Sequence, residues 1–189
     1  MTIEPVEGLP VYHPEVETFK VSDENGDLLG ILYTDYYPRA TTRPGAWMNN
    51  VHGQFVDAEG VDHRPIIVNV GNFNKPTADK PSLLSMDDVE TMFHEFGHAL
   101  HGFLTKCTYQ TLSGTNVPRD FVELPSQIME NWCYAPEVMK TYAFHYETGE
   151  VMPDALIEKI NAAGKFNQGF VETELLSASI LDMDYHLLT

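Results

Sequence analysis

The segment His94-Glu95-Phe96-Gly97-His98 constrains this chain more than any other part of its sequence. Residues four apart on an α-helix lie one turn above each other on the same face, so two histidines at that spacing can bind one metal ion. Glu95 is rotated away from them by one residue, where a carboxylate acts on water instead of binding the metal. The pattern is typical of a hydrolytic zinc site, provided that a helix and a third ligand are present.

The flanking residues predict that helix. Ser85 and Asp88 form a capping-box pattern at its start. Apolar residues then recur at spacings of three and four, forming a stripe suited to a core: Val89, Met92, Phe93, Phe96, Ala99, Leu100 and Phe103. His94 and His98 fall on a different face. The sequence therefore predicts a helix over about residues 86–105 that buries one side and presents its histidines on another.

A catalytic zinc site needs a third protein ligand and an open position for water. Leu104 stands where a metzincin would have its third histidine, so that pattern is absent. Downstream, Glu123 and Glu130 share the polar face of a second predicted helix, and spacing alone leaves both open as the ligand. The apolar residues of that helix are Phe121, Leu124, Ile128 and Trp132. His101 shares the ligand face of the first helix, but three ligands already complete such a site.

Several segments together resemble one known family. They are His94–His98, Gly114-Thr115-Asn116, Arg119–Glu123, Pro125-Ser126-Gln127, Leu9–Pro14, Gly45–Met48, Leu176-Ser177-Ala178 and Leu181-Asp182-Met183. From about Leu9 onward the chain resembles the thimet oligopeptidase family of zinc metallopeptidases, and especially its bacterial peptidyl-dipeptidase branch. The resemblance implies one Zn²⁺ held by His94, His98 and Glu123, with Glu95 as the catalytic carboxylate.

The roles of the acidic residues follow from general chemistry. In a site of this kind Glu95 takes a proton from water as general base and returns it to the leaving amine. A histidine that binds zinc usually donates its other ring N–H to a carboxylate or a carbonyl. Asp120, one helical turn before Glu123, and Glu130, two turns after it, are both candidates for orienting a histidine. The plainer alternatives are a helix N-cap for Asp120 and a solvated charge for Glu130.

The resemblance implies zinc-dependent hydrolysis of short peptides, with release of C-terminal dipeptides by the full-length protein. The alternatives are an endo-acting oligopeptidase and a zinc-binding fragment without catalytic activity. The zinc-binding fragment is kept as an alternative because family members carry a further helical segment, whose Tyr and His residues contact the substrate. The chain stops at Thr189, before that segment. We therefore expect an intact metal site with weak or absent peptidase activity. A zinc aminopeptidase is disfavoured, because its Met-Glu-Asn element precedes the zinc helix, whereas Met129-Glu130-Asn131 follows it here.

The strand-rich part of the sequence is predicted at residues 9–74. Asn25-Gly26 lies between two runs of β-prone residues at 16–21 and 28–33, which predicts a hairpin. Residues 64–70 predict another strand shortly before the zinc helix. An exposed edge of this sheet would suit an extended peptide, which binds by strand addition.

The helical part of the sequence is predicted at residues 120–188. Tracts of helical pattern occupy 136–146, 153–163 and 166–187, the second with Pro153 at its start. Strands followed by helices favour an α+β fold. We expect one unit over residues 1–189, and the resemblance implies part of a gluzincin-like metallopeptidase catalytic domain.

Composition excludes several other function classes. Eleven basic against 28 acidic residues give a net charge of −17, which argues against nucleic acid as a partner. No apolar run approaches 18 residues, so we expect no transmembrane helix. Cys107 and Cys133 show no metal-binding or disulfide spacing, which favours reduced thiols in a cytoplasmic protein, with a periplasmic location as the alternative. The sequence does not indicate an oligomeric state.

Overall fold

The structure, a computed structural model, describes residues 1–188. By its internal contacts the chain divides into two compact units, residues 1–133 and 134–189, and each is described by itself. The sequence predicts a single unit over residues 1–189. The division by contacts does not test that prediction.

The first unit contains a five-stranded sheet. Its strands are β1 (Thr2–Pro5), β2 (Glu17–Ser22), β3 (Leu28–Asp35), β4 (Trp47–His52) and β7 (Ile66–Val70). They lie in the order β1-β2-β3-β7-β4, where β3 and β7 are parallel and all other neighbours are antiparallel. A separate two-stranded ladder joins β5 (Phe55–Val56) to β6 (Asp62–His63).

The predicted hairpin is confirmed, since β2 and β3 pair as antiparallel neighbours. The amide of Asp23 donates to the carbonyl of Asp27 across the turn at 2.9 Å. Gly26 has a φ of +88°, a left-handed conformation that glycine adopts without steric cost. The predicted strand at 64–70 is observed as β7, and it lies inside the sheet instead of at an edge. The sequence pattern did not reveal β1 and β4, the two edge strands.

Helix α1 (Met86–Leu104) agrees with the predicted helix to within one residue at its C-terminal end. Ser85 caps it through the predicted capping box, in which Ser85 and Asp88 each bind the other's backbone N–H. Its apolar stripe packs on the sheet, and the cluster of buried residues is Val21, Leu32, Ile67, Ala99 and Phe103. Because burying one large apolar side chain contributes about 1.5–3 kcal/mol, this contact holds the helix in place on the sheet.

A loop containing a 3₁₀ helix (Gln110–Leu112) returns the chain to α1, where α2 (Arg119–Val122) and α3 (Leu124–Cys133) follow. Pro125 is the second residue of α3, where its missing N–H costs no helical hydrogen bond. Glu123 lies between α2 and α3. Helix α3 packs along α1, and the four apolar residues predicted for its region remain about half exposed: Phe121, Leu124, Ile128 and Trp132.

The second unit consists of α4 (Pro136–Tyr142), α5 (Asp154–Ala163) and α6 (Gln168–His186). These helices confirm the three predicted helical tracts, although α4 ends four residues earlier than expected. Met139 and Ile157 are its buried apolar side chains, and α6 buries no residue along its length. No described helix is both long enough and apolar enough to cross a membrane.

Candidate metal centre

Helix α1 holds the two motif histidines side by side, on the face turned away from the sheet. The ring centroids of His94 and His98 are 4.8 Å apart, and the ring planes stand at 84° to each other. The spacing of four residues produces this arrangement, because it places both side chains on one face of the helix. The opposite face of the same helix is fixed in the core through Ala99 and Phe103, so the histidines are attached to a rigid element.

The carboxylate of Glu123 completes a group of three possible ligands. Its Oε2 atom lies 3.2 Å from Nε2 of His94 and 3.1 Å from Nε2 of His98. Within residues 1–188, these are the three His, Cys, Asp or Glu side chains whose ligand atoms converge, all within 4.8 Å of one another. Glu130, the other candidate that spacing left open, is not among them.

This donor set fits a zinc ion. Zinc takes histidine nitrogen at about 2.0–2.1 Å and carboxylate oxygen at about 2.0–2.2 Å, so tetrahedral ligand atoms lie about 3.4 Å apart. The two N···O separations of 3.1 and 3.2 Å are close to that value. Two imidazoles and one carboxylate are also the ligand types of known catalytic zinc sites, in which a fourth position stays open.

Glu130 contacts the site from its outer side. Its Oε1 atom lies 2.6 Å from Nδ1 of His94, so the ring N–H at Nδ1 donates to this carboxylate. That hydrogen bond leaves Nε2 of a neutral His94 ring with its lone pair turned toward Glu123. Asp120, the second candidate for this role, makes no hydrogen bond to Nδ1 of either histidine among the described residues. Nδ1 of His98 is buried without a hydrogen-bond partner there, and Nδ1 of His94 bonds to Glu130.

Burial and hydrogen bonds shift the pKa values of the ionisable side chains around the centre. Burial lowers the pKa of the His98 imidazole, which favours the neutral form that a metal requires. The hydrogen bond from Ser126 lowers the pKa of the Glu123 carboxyl more than any other contact does, and the two histidines act in the same direction. His101 is left outside the group, with its ring 6.1 Å from that of Phe121.

Glu95 follows His94 on α1 and is not one of the three candidate ligands. It is 8% exposed, and its Oε2 atom is buried without a hydrogen-bond partner. Burial raises the pKa of this carboxyl above its usual value. A buried carboxylate with a raised pKa and a free oxygen atom is suited to accept a proton.

Two residues that shape the site lie within the motif segments of the sequence, but the sequence patterns assigned them no role in the metal centre. Ser126 donates a hydrogen bond of 2.7 Å to Oε2 of Glu123. Gly97 allows α1 and α3 to approach closely, since a Cβ atom at this position would lie 2.6 Å from the carbonyl oxygen of Pro125 and from Cα of Ser126. Apart from the resemblance of Pro125-Ser126-Gln127 to the family, the sequence signal for this role of Ser126 was its three-residue spacing from Glu123, which is ordinary on any helix.

The family model for peptidase family M3 matches residues 1–189. The chain belongs to peptidase family M3. It is 49% identical over 181 residues to the dipeptidyl carboxypeptidase of Escherichia coli K12, an alignment that covers 95% of the chain and 26% of that relative. It is 43% identical over 177 residues to oligopeptidase A of the same strain, which covers 93% of the chain and 26% of that relative.

A plant relative gives the same result at similar distance. The organellar oligopeptidase A of Arabidopsis thaliana is 40% identical over 190 residues, covering 97% of the chain and 24% of that relative. The chain thus spans about a quarter of the length of the relatives it matches. Its resemblance to this group of peptidases, inferred above from short motifs, is confirmed over nearly the whole chain.

Proposed function

We propose that this M3-family chain carries the zinc centre of a peptidase with a gluzincin-like core, in which His94, His98 and Glu123 bind one Zn²⁺ and Glu95 is the catalytic acid–base. One observation carries the proposal: the Nε2 atoms of both histidines lie 3.1–3.2 Å from the same oxygen of Glu123. Residues 1–189 would then form part of one catalytic domain. A cytoplasmic location stays a prediction.

The reaction that fits this centre is hydrolysis of a peptide bond. When bound, zinc supplies a Lewis acid and lowers the pKa of water to about 7. Glu95, with its free and buried Oε2 atom, accepts the proton of the attacking water and returns it to the leaving amine. Glu130 holds the tautomer of His94 that leaves Nε2 without a proton.

The substrates we propose are short peptides, and the products are C-terminal dipeptides. The support is the 49% identity to a protein named dipeptidyl carboxypeptidase. Internal cleavage of oligopeptides is the second candidate, because the chain is also 43% identical to an oligopeptidase A. Since the chain spans about a quarter of those relatives, both specificities are proposed for a longer protein that contains it.

Metal content of the purified chain tests the centre. We expect one zinc per chain by mass spectrometry, and loss of that zinc in the variants His98→Ala and Glu123→Ala. Glu172→Ala, an exposed glutamate on α6, is the control and should keep its zinc. Absence of stoichiometric zinc from the unsubstituted chain would contradict the proposed centre.

Cleavage assays test the chemistry. We expect Glu95→Gln to keep its zinc and to lose about 10²-fold or more of whatever peptidase activity is measured, because proton transfer by a positioned side chain contributes about 10²–10⁴-fold. Peptides with free and with amidated C-termini distinguish the two specificities, since removal of a C-terminal dipeptide depends on the free carboxylate. Normal cleavage by Glu95→Gln would contradict the role of Glu95.

A further inference from the structure

Ser126 is a fully buried residue that contacts the metal centre through the Glu123 carboxylate. It lies in the first turn of α3, three residues after Glu123, and none of its surface is exposed. Its Oγ atom is 2.7 Å from Oε2 of Glu123 and 3.0 Å from the backbone oxygen of the same residue. The oxygen that it contacts is the one that faces Nε2 of both histidines.

The Ser126 hydroxyl has one proton for these two acceptors. A hydrogen bond to an ionised carboxylate is shorter and stronger than one to a neutral carbonyl, and the observed distances follow that order. The hydroxyl therefore donates to the Glu123 carboxylate. Without this bond the carboxylate would be weakly held, because the Glu123 side chain is 47% exposed and its rotamers cost entropy to order.

The packing of α1 against α3 places Ser126 where this bond can form. A Cβ atom on Gly97 would lie 2.6 Å from Cα of Ser126, so only glycine allows the two helices to come this close. Gly97 lies between Glu95 and His98 on α1, and the contact thus fixes the start of α3 relative to the ligand histidines. The position of Ser126 is set by backbone packing and not by the flexible Glu123 side chain.

We propose that Ser126 is a positioning residue of the metal centre: its hydroxyl holds Oε2 of Glu123 toward Nε2 of His94 and His98. This inference rests on the proposed function, since it assigns a role in binding the same zinc ion. Ser126 touches neither the substrate nor the metal in this role. It acts through Glu123, as an outer hydrogen-bond partner acts on the ligand that it orients.

The test is zinc affinity, measured at pH 7.5 by competition with a chromophoric chelator, for Ser126→Ala against a matched control. Ser113 supplies that control, because it is equally buried and its Oγ also bonds a carbonyl three residues earlier, at 3.0 Å. The Ser113 hydroxyl donates to Gln110 and not to Glu123. We expect Ser126→Ala to bind zinc about 10-fold more weakly, and Ser113→Ala to bind as the unsubstituted chain does.

Two further measurements separate positioning from a general loss of structure. Unfolding of the metal-free chain should be affected no more by Ser126→Ala than by Ser113→Ala. Glu123→Ala is expected to lose its zinc on purification, so the weak binding left to the two histidines is measured by titration with excess zinc. In that background Ser126→Ala should change the residual zinc affinity less than twofold, since its partner is gone. An equal loss of affinity in that background would overturn the inference, because Ser126 would then not act through Glu123.

The outcomes also distinguish this inference from the function on which it rests. If His98→Ala loses zinc while Ser126→Ala binds zinc like Ser113→Ala, the metal centre stands and the role of Ser126 is wrong. If the unsubstituted chain binds no zinc, the proposed centre fails and the role of Ser126 fails with it.

Discussion

Residues 1–133 and residues 134–188 differ in how well they bury their own apolar side chains. The first region has a cluster of five buried core residues contributed by the sheet and α1: Val21, Leu32, Ile67, Ala99 and Phe103. In the second region the buried apolar side chains are Met139 and Ile157, and α6 exposes large apolar residues along its whole length. Phe170, for example, is 71% exposed.

The candidate metal centre lies entirely in the region that has its own core. Each ligand is attached to an element that is fixed elsewhere: the histidines through the buried face of α1, and Glu123 through Ser126 and the contact at Gly97. A metal site needs its ligands held within about 0.5 Å, and rigid elements meet that requirement. Helix α6 has polar and apolar residues distributed around its circumference, without one apolar face that could pack on a core.

The largest expected effect tests whether the two regions differ in stability as they differ in burial. Phe103 is fully buried in the core, and Phe103→Ala should lower the free energy of unfolding by about 3–5 kcal/mol. Phe170→Ala removes a side chain of the same type from an exposed position on α6. It should change the free energy of unfolding by less than about 0.5 kcal/mol. Denaturant unfolding followed by circular dichroism measures both. Similar losses for the two variants would mean that α6 is buried in solution.

A smaller effect is expected within residues 1–133, where two acidic residues near the metal centre, Glu130 and Asp120, can be compared by their effect on zinc affinity. Glu130→Ala removes the partner of Nδ1 of His94 and should weaken zinc binding by about 10-fold or more. Asp120→Ala removes an acidic residue of the same region that makes no hydrogen bond to Nδ1 of either histidine, and zinc affinity should stay unchanged. A loss in Asp120→Ala equal to that in Glu130→Ala would show that net charge, and not contact, sets the affinity.

The sequence predicted the elements whose signals are local. Helix α1 was predicted from its capping box and its apolar stripe, and the β2–β3 hairpin from Asn25-Gly26, because those patterns depend on neighbours in sequence. The placement of His94 beside His98 follows from helix geometry alone. Strand β4 was missed, since its exposed and half-buried residues alternate without a strongly apolar face.

The parts of the site that depend on tertiary contacts were not predictable from spacing. Glu123 and Glu130 were equivalent as positions on a helix, and the resemblance to a family was needed to prefer Glu123. In the structure they differ because Glu123 lies at the junction of α2 and α3, facing Nε2 of both histidines, whereas Glu130 reaches Nδ1 of His94 from the other side. The contact of Gly97 with Ser126 joins residues far apart in sequence, so no local pattern reveals it.

The smallest expected effect concerns a residue that should lower the stability of residues 1–133, the region with the better-buried core. Glu95 is buried with a raised pKa and an unpaired Oε2 atom, so its ionised form is disfavoured in the folded chain. A carboxyl whose pKa is raised on folding costs stability once the pH exceeds its unfolded pKa, and the cost is complete above its folded pKa. Glu95→Gln should therefore stabilise the metal-free chain at pH 7.5, by less than about 1 kcal/mol, because the amide also lacks a partner.

The pH dependence identifies the cause of that gain. The difference between Glu95→Gln and the unsubstituted chain should shrink as the pH falls to the unfolded pKa and vanish below it, where the Glu95 carboxyl is neutral in both the folded and the unfolded state. Denaturant unfolding in the presence of a chelator, at pH 7.5 and at about pH 4.5, measures it. Glu95→Gln could instead be less stable than the unsubstituted chain at pH 7.5. The Glu95 carboxylate would then have a favourable partner in the metal-free chain, and its burial would not destabilise the fold.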